Sequence, residues 1–308
     1  MAYKVLEIIG YYRAKKSIKH KFFCRRLKKE DAQRKVKTLE QIYALQERQL
    51  RRCNDGRDVI VTLTSYGDRI SDTLPYTLYS LLRQTRMPNR IVVWLDNVNW
   101  NEENLSPELK KLETLGVEFY FVEDLRSYKK LIPALKMFPD NVIITVDDDL
   151  YYNRRTVEWL MNAYENSDRH TVFGTWAYTA RVSEDGHYLP YSQWKSGENG
   201  TTNGEVSLIG CGGILYPPHI FDDEILKVDL FMSMAPTADD LWFWVMEKRQ
   251  NISIQLIPNA RRGLHVEVNR IDFWDPEREG SLYYINEVKG KNDEQFKRLV
   301  EYYGIFPG

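Results

Sequence analysis

Four short apolar runs, DVIVTLT (58 to 64), RIVVWLD (90 to 96), VEFYFVE (117 to 123) and NVIITV (141 to 146), recur at intervals long enough for one helix each. A strand that shows one face to water alternates apolar and polar residues. Continuous runs such as these belong to strands buried on both faces, which in practice means a parallel sheet covered by helices. The intervening segments agree: Leu74, Leu78, Leu81 and Leu82 form a helix face before Pro88, and further helices are expected near Pro107 to Leu115 and Lys129 to Met137. The pattern therefore predicts an α/β fold with a Rossmann-like, mostly parallel sheet. Ligands of such sheets bind beyond the carboxyl ends of the strands. Those ends carry Thr64-Ser65-Tyr66, Asp96-Asn97, Glu123-Asp124 and Asp147-Asp148-Asp149.

The fourth run stops at three consecutive aspartates. Like charges at the end of a buried strand are unfavourable unless a positive partner is present. Alternate residues of a strand face opposite ways, so Asp147 and Asp149 share a side. Two carboxylates on one side suit Mg²⁺ or Mn²⁺, and a divalent cation is the partner expected here. The competing explanation is an acidic cap on the following helix.

Charge divides the chain unevenly. The overall net charge is −1, yet residues 1 to 52 hold 16 Lys and Arg against 5 acids, which leaves the remainder at −12. Val5, Ile8, Ile9 and Tyr12, then Val36, Leu39, Tyr43 and Leu50, follow helical or near-heptad spacing. Residues 1 to 57 thus read as a basic amphipathic helical segment, suited either to an anionic membrane surface or to packing on the body that follows. The acidic body makes nucleic acid a poor partner. Cys24, Cys53 and Cys211 have no metal-ligand spacing and suit a reducing compartment. No run reaches the roughly 20 apolar residues of a membrane span. The expected location is cytoplasmic, with peripheral contact at the inner face of the plasma membrane.

From Asp58 onward no linker is visible, and residues 58 to 308 read as one domain. Its first half (58 to 152) carries the strands described, and its second half (153 to 308) begins with a helix bearing Val157, Leu160, Met161 and Tyr164. A polar, aromatic stretch at 183 to 204 reads as a loop or hairpin able to cover an acceptor. The C-terminal segment ends in an amphipathic helix bearing Phe296, Leu299, Val300 and Tyr303, for which Asn292 and Asp293 are the expected N-cap.

Several motifs in order carry a resemblance: VTLTSYGDRI, VVWLD, SYKKLIPALKMFPDNVIITVDDD, IGCGGILYPPHIF, TADDLWFW and IQLIPNARRGLH. Together, over residues 58 to 268, they resemble GT-A type nucleotide-sugar glycosyltransferases of the family 2-like kind that build bacterial surface polysaccharides. The resemblance implies a GT-A fold and a DXD motif at 147 to 149. Asp149 is the first choice for the metal ligand, with Asp147 contacting ribose or metal, Asp148 either, and His265 a further metal or diphosphate contact. Thr64, Tyr66, Arg69, Asp96 and Lys130, with Lys129 as an alternative, fall on the donor side. TADDLWFW resembles the family's acidic pair at a helix start, with Asp239 where the family has Glu. Asp240 is then the base that takes the acceptor proton, with Asp239 beside it. Thr237 offers the plainer reading of a helix cap. Trp242, Gly212 and Gly213 are expected on the acceptor side, and Trp244 in the core.

The function so implied is metal-dependent transfer of a sugar, with inversion, from a nucleotide-diphosphate-sugar to a glycan or lipid-linked acceptor. A UDP-sugar is the first expectation for the donor and Mn²⁺ or Mg²⁺ for the cofactor. Retaining transfer, a metal-dependent phosphohydrolase and a catalytically silent nucleotide-sugar or partner-binding module attached to a membrane by the basic N-terminus are the alternatives.

Overall fold

The computed structural model describes residues 18–46, 50, 58–196, 206–257, 265–271 and 282–307. Val5, Ile8, Ile9 and Tyr12 lie outside the described residues, as does all of 197 to 204. Helix α1 (Ile18–Ala44) precedes strand β1 (Val59–Thr64). Helices α2 (Arg69–Asp72) and α3 (Leu74–Leu81) lead to β2 (Arg90–Asp96), and α4 (Pro107–Thr114) leads to β3 (Val117–Val122). A 3₁₀ turn at Arg126–Lys130 and helix α5 (Ile132–Met137) precede β4 (Val142–Thr145). The second half contains β5 (Leu150–Tyr152), α6 (Thr156–Glu165), β6 (Thr171–Gly174), β7 (Ala177–Thr179), β8 (Lys195–Ser196), β9 (Val206–Leu208) and β10 (Ile214–Tyr216). These are followed by α7 (Val228–Met234), α8 (Asp239–Arg249), β11 (Ser253–Leu256), β12 (His265–Glu267) and α9 (Lys291–Tyr303).

Seven strands form the central sheet in the order β11-β6-β10-β4-β1-β2-β3. Pairing is parallel from β4 through β1 and β2 to β3, and again between β6 and β11, while β10 runs antiparallel to both β4 and β6. The mostly parallel sheet flanked by helices is thus the one the apolar runs predict. Its two faces are both buried for the reason those runs imply. Ile60, Val92, Trp94 and Ile143 enter a core shared with α8, while Val61, Leu63, Val93 and Ile144 enter one shared with α3, α4 and α6. Because β10 joins β4 by hydrogen bonds, the two halves of the sequence share one sheet.

Two small antiparallel sheets lie outside it, β12-β5 and β8-β7-β9. The first starts directly after the three aspartates, and Val268 N–H donates to Asp149 C=O at 2.9 Å. Helix α1 packs Leu27 and Ile42 inward. Its Asp31 binds Arg270 at 2.7 Å, and Arg34 donates to the carbonyls of Glu267 and Val268 at 2.6 and 3.1 Å. For α9 the expected cap is not formed. Gly290, in the left-handed region at φ 69°, occupies the cap position without a side-chain bond, while Asn292 donates to Glu287 and Asp293 accepts from Ser192.

Candidate active site

Lys130 holds the centre of the site, and its position is set from within the sheet. Trp94 Nε1 on β2 donates to Thr62 Oγ1 at 2.7 Å, and that hydroxyl donates on to the Lys130 carbonyl at 3.0 Å. Tyr128, two residues earlier, donates to Ala235 C=O at 2.6 Å and ties the same 3₁₀ turn to the approach to α8. The buried Lys130 ammonium consequently sits between two acidic groups from distant parts of the chain. It lies 3.2 Å from Asp147, 2.9 Å from Asp239 and 3.6 Å from Asp240. Burial works against the charge, but the three carboxylates outweigh it and hold the ammonium well above its ordinary pKa.

Gly210 makes this junction possible. A Cβ at that position would collide with the Lys130 ammonium and come within 3.0 Å of Asp240 Oδ1. The Gly210 N–H instead donates to Asp240 Oδ2 at 3.1 Å. Oδ1 is left with no hydrogen-bond donor among the described residues. Enclosure raises the Asp240 pKa to about 7; Lys130 opposes this, while Asp239 and Asp147 add to it.

On the other side, Arg69 from α2 bridges Asp148 at 2.7 Å and Asp149 at 3.0 Å, and Ser65 donates to Asp148. Burial disfavours the guanidinium charge, and Asp149 and Asp148 more than compensate, holding it above its ordinary pKa. Asp149 is lifted to about 7 by burial, against the pull of Arg69 and with the push of Asp148 and Asp147. Tyr152 OH fixes the backbone between these groups by accepting from Asp147 N–H at 2.8 Å and donating to Cys211 C=O at 3.0 Å.

A cavity of about 440 Å³ opens over this arrangement. Thr64, Tyr66, Arg69, Lys130, Asp147, Asp148, Asp239 and Asp240 all line it. Tyr66 is 45% exposed beside Arg69, while the Thr64 hydroxyl is turned back to Trp94 C=O at 2.8 Å. Trp176, Tyr178, Tyr191 and Tyr283 also line it, with Thr237, Asn286 and Asn292. These residues escape sequence reasoning because no spacing links β7, the Tyr191 turn and the segment before α9. The one signal is the aromatic content of the stretch containing Tyr191.

Other expected site residues are placed elsewhere. Arg69 and Lys130 are basic partners of the aspartates. Among the described residues no three Asp, Glu, His or Cys side chains form a group able to hold a metal ion. Asp149 pairs with Arg69 at 3.0 Å and is not among the residues lining the cavity. His265 stacks on Trp176 at 5.6 Å, and burial lowers its pKa to about 4; it is not among the residues lining the cavity. Asp96 Oδ1 accepts from the N–H and side chain of Asn99, holding its own turn rather than a base.

The acceptor-side expectations are also corrected. Trp242 is fully buried, donates to Ile225 C=O and packs on Phe231, so it offers no face to a sugar. Trp244 is in the core, as expected. Gly212 and Gly213 do not line the cavity. Gly212 is required because a Cβ would meet Thr175 and Trp176 within 3 Å, and Gly213 because its φ is 94°. The plainer reading of TADD also fails. Ala238 is the cap residue of α8 and makes no side-chain cap bond, whereas the Thr237 hydroxyl bonds Asn286 and Gln295.

No family model and no curated protein matches the chain. Among solved structures, it is similar to glucosyl-3-phosphoglycerate synthase from Mycobacterium tuberculosis in complex with Mn²⁺, UDP and glucosyl-3-phosphoglycerate. That match has 11% identity and a TM-score of 0.47 over 83% of each chain. It is also similar to residues 1–349 of S. aureus TarS, at 18% identity and a TM-score of 0.43 over 80% of this chain and 72% of that one. A third similar structure is 4-diphosphocytidyl-2C-methyl-D-erythritol synthase from Anaerococcus prevotii, at 10% identity and 0.42, over 77% and 97%. Likeness at this level does not assign an activity.

Proposed function

We propose that the chain is a glycosyltransferase that moves a sugar from a nucleotide-diphosphate-sugar to a hydroxyl of a glycan or lipid-linked acceptor, with inversion. The observation that carries this reading is the Lys130 ammonium, shared between Asp147 on the strand-end side and Asp239 and Asp240 on the other. Sugar transfer needs positive charge where the diphosphate leaves and a carboxylate where the acceptor proton is lost. In this reading the nucleotide lies over Thr64, Tyr66 and Arg69, and its diphosphate reaches Lys130. The acceptor ring stacks among Trp176, Tyr178 and Tyr191. Its hydroxyl gives its proton to Asp240 Oδ1, which makes no hydrogen bond among the described residues and lies 3.6 Å from the Lys130 ammonium, while Gly210 N–H holds Oδ2. The sugar–phosphate bond breaks as the acceptor oxygen forms its bond to the anomeric carbon, and the electron pair leaves with the diphosphate. Among the described residues no three Asp, Glu, His or Cys side chains form a group able to hold a metal ion, so no step is routed through Mg²⁺ or Mn²⁺.

The test is a thermal-shift panel of UDP, GDP, CDP and ADP, each with and without Mn²⁺, followed by nucleotide release from the matching donor sugar. A shift for one nucleotide is expected. Asp240→Asn should retain it and lose about 10²- to 10⁴-fold in transfer. Unchanged turnover in that variant removes the base role, and the absence of any nucleotide shift overturns the donor reading.

A further inference from the structure

The inward and outward faces of α1 differ in chemistry. Inward-facing Leu27, Asp31, Thr38 and Ile42 are buried, and the Asp31–Arg270 pair and the two carbonyl bonds from Arg34 hold the helix in one rotational setting. The opposite face presents Phe22, Arg25, Lys29 and Val36, spaced three, four and seven residues apart, so that they lie along one stripe. Phe22 is 64% and Val36 57% exposed. Arg26, Lys28 and Lys37 are exposed beside them. Of the exposed acids on the described part of the helix, Glu30 already pairs with Arg26 and Arg270 at 3.4 and 3.0 Å, leaving Glu40 against the basic residues.

We propose that this stripe seats the protein on an anionic phospholipid surface. The occupant follows from charge and shape. A basic helix with an exposed aromatic and aliphatic residue on one stripe can enter the headgroup layer while its Lys and Arg side chains meet lipid phosphates. A second copy presenting the same stripe brings like charges together, which opposes pairing through this face. The rest of the chain, at −12 beyond residue 52, is repelled by such a surface, so charge orients the molecule with α1 towards it. Lys35 pairs with Asp72 of α2, the helix that also carries Arg69, so the seated helix and one wall of the cavity are joined directly. The proposal does not depend on the sugar-transfer reading.

Co-sedimentation with vesicles tests it, using phosphatidylcholine alone and phosphatidylcholine with about one third phosphatidylserine. The intact chain is expected to pellet only with the anionic vesicles and to be released at about 0.5 M salt. Arg25→Glu combined with Lys29→Glu should weaken binding at least about tenfold. An unchanged melting temperature in that variant shows that the fold is retained. Equal binding by variant and wild type, equal binding to both vesicle types, or a wild-type protein that stays in the supernatant overturns the proposal. Self-association through the stripe without vesicle binding, seen by sedimentation velocity, does so as well. Nucleotide shifts in the same samples report separately on the cavity.

Discussion

Arg69 and Lys130 both neutralise aspartates at the carboxyl end of the sheet, and they do so in different ways. Arg69 is a planar fork whose two terminal nitrogens each engage one carboxylate, Asp148 and Asp149, and whose charge is committed to both. Lys130 is a point charge with three carboxylate neighbours at 2.9, 3.2 and 3.6 Å. A fork bound at two points fixes geometry, whereas a point charge among several neighbours can redirect its hydrogen bonds to an arriving anion. The comparison assigns architecture mainly to Arg69 and chemistry mainly to Lys130.

The largest effect expected from this division is on turnover. Lys130→Met should lower the rate of transfer about 10³-fold, the loss typical of removing a charge-stabilising group, in a steady-state assay with saturating donor. A loss under tenfold would break the comparison by showing that Lys130 is structural. Next in size is Arg69→Lys, which keeps the charge but cannot bridge two carboxylates as a fork. It should cost about 2 kcal/mol in urea unfolding, with turnover within about tenfold of wild type. The reverse pattern, full stability with abolished transfer, would exchange the two roles. A further effect is on pH dependence. Asp240 and Asp149, each raised to about 7, keep protons in the folded chain that the unfolded chain releases near its ordinary value of about 4. Their contribution to stability is therefore fully present below about pH 4 and is lost as pH rises towards 7. Melting curves should show this decline, and Asp240→Asn should flatten it. Transfer should rise over the upper part of the same range as Asp240 becomes available as a base. A rate independent of pH between about 6 and 8 would separate Asp240 from the proton-transfer step.

The two halves of the chain also differ in how much of them can be read from sequence. The strands at 59–64, 90–96, 117–122 and 142–145 are evident because burial on both faces demands unbroken apolar runs. Thr64, Tyr66 and the aspartates stand at the ends of those strands, whereas Arg69 and Lys130 were named through the family resemblance. The second half gives no comparable signal. Strands β7, β8, β9 and β10 have two or three residues each, too short for a period to show, and the aromatic wall is assembled from three separate segments. Trp242 was misplaced because an aromatic residue beside a carboxylate looks the same in one dimension whether it faces a cavity or the core. The helical turn that directs Asp239 towards Lys130 directs Trp242 towards Ile225. The basic partners of the aspartates were not legible for a related reason: sequence shows three negative charges together, while Arg69 lies 79 residues from Asp148.

The hydrogen-bond relay from Trp94 through Thr62 to the Lys130 carbonyl bears on how this chain tolerates variation. Thr62 and Trp94 are fully enclosed in the sheet, where an ordinary core would accept Val or Phe with modest loss. Here the hydroxyl and the indole N–H set the position of the turn from which the Lys130 ammonium emerges. A saturation scan should therefore find two intolerant positions in mid-strand, at residues that touch no ligand. Their pattern of accepted substitutions should follow hydrogen-bonding capacity rather than volume.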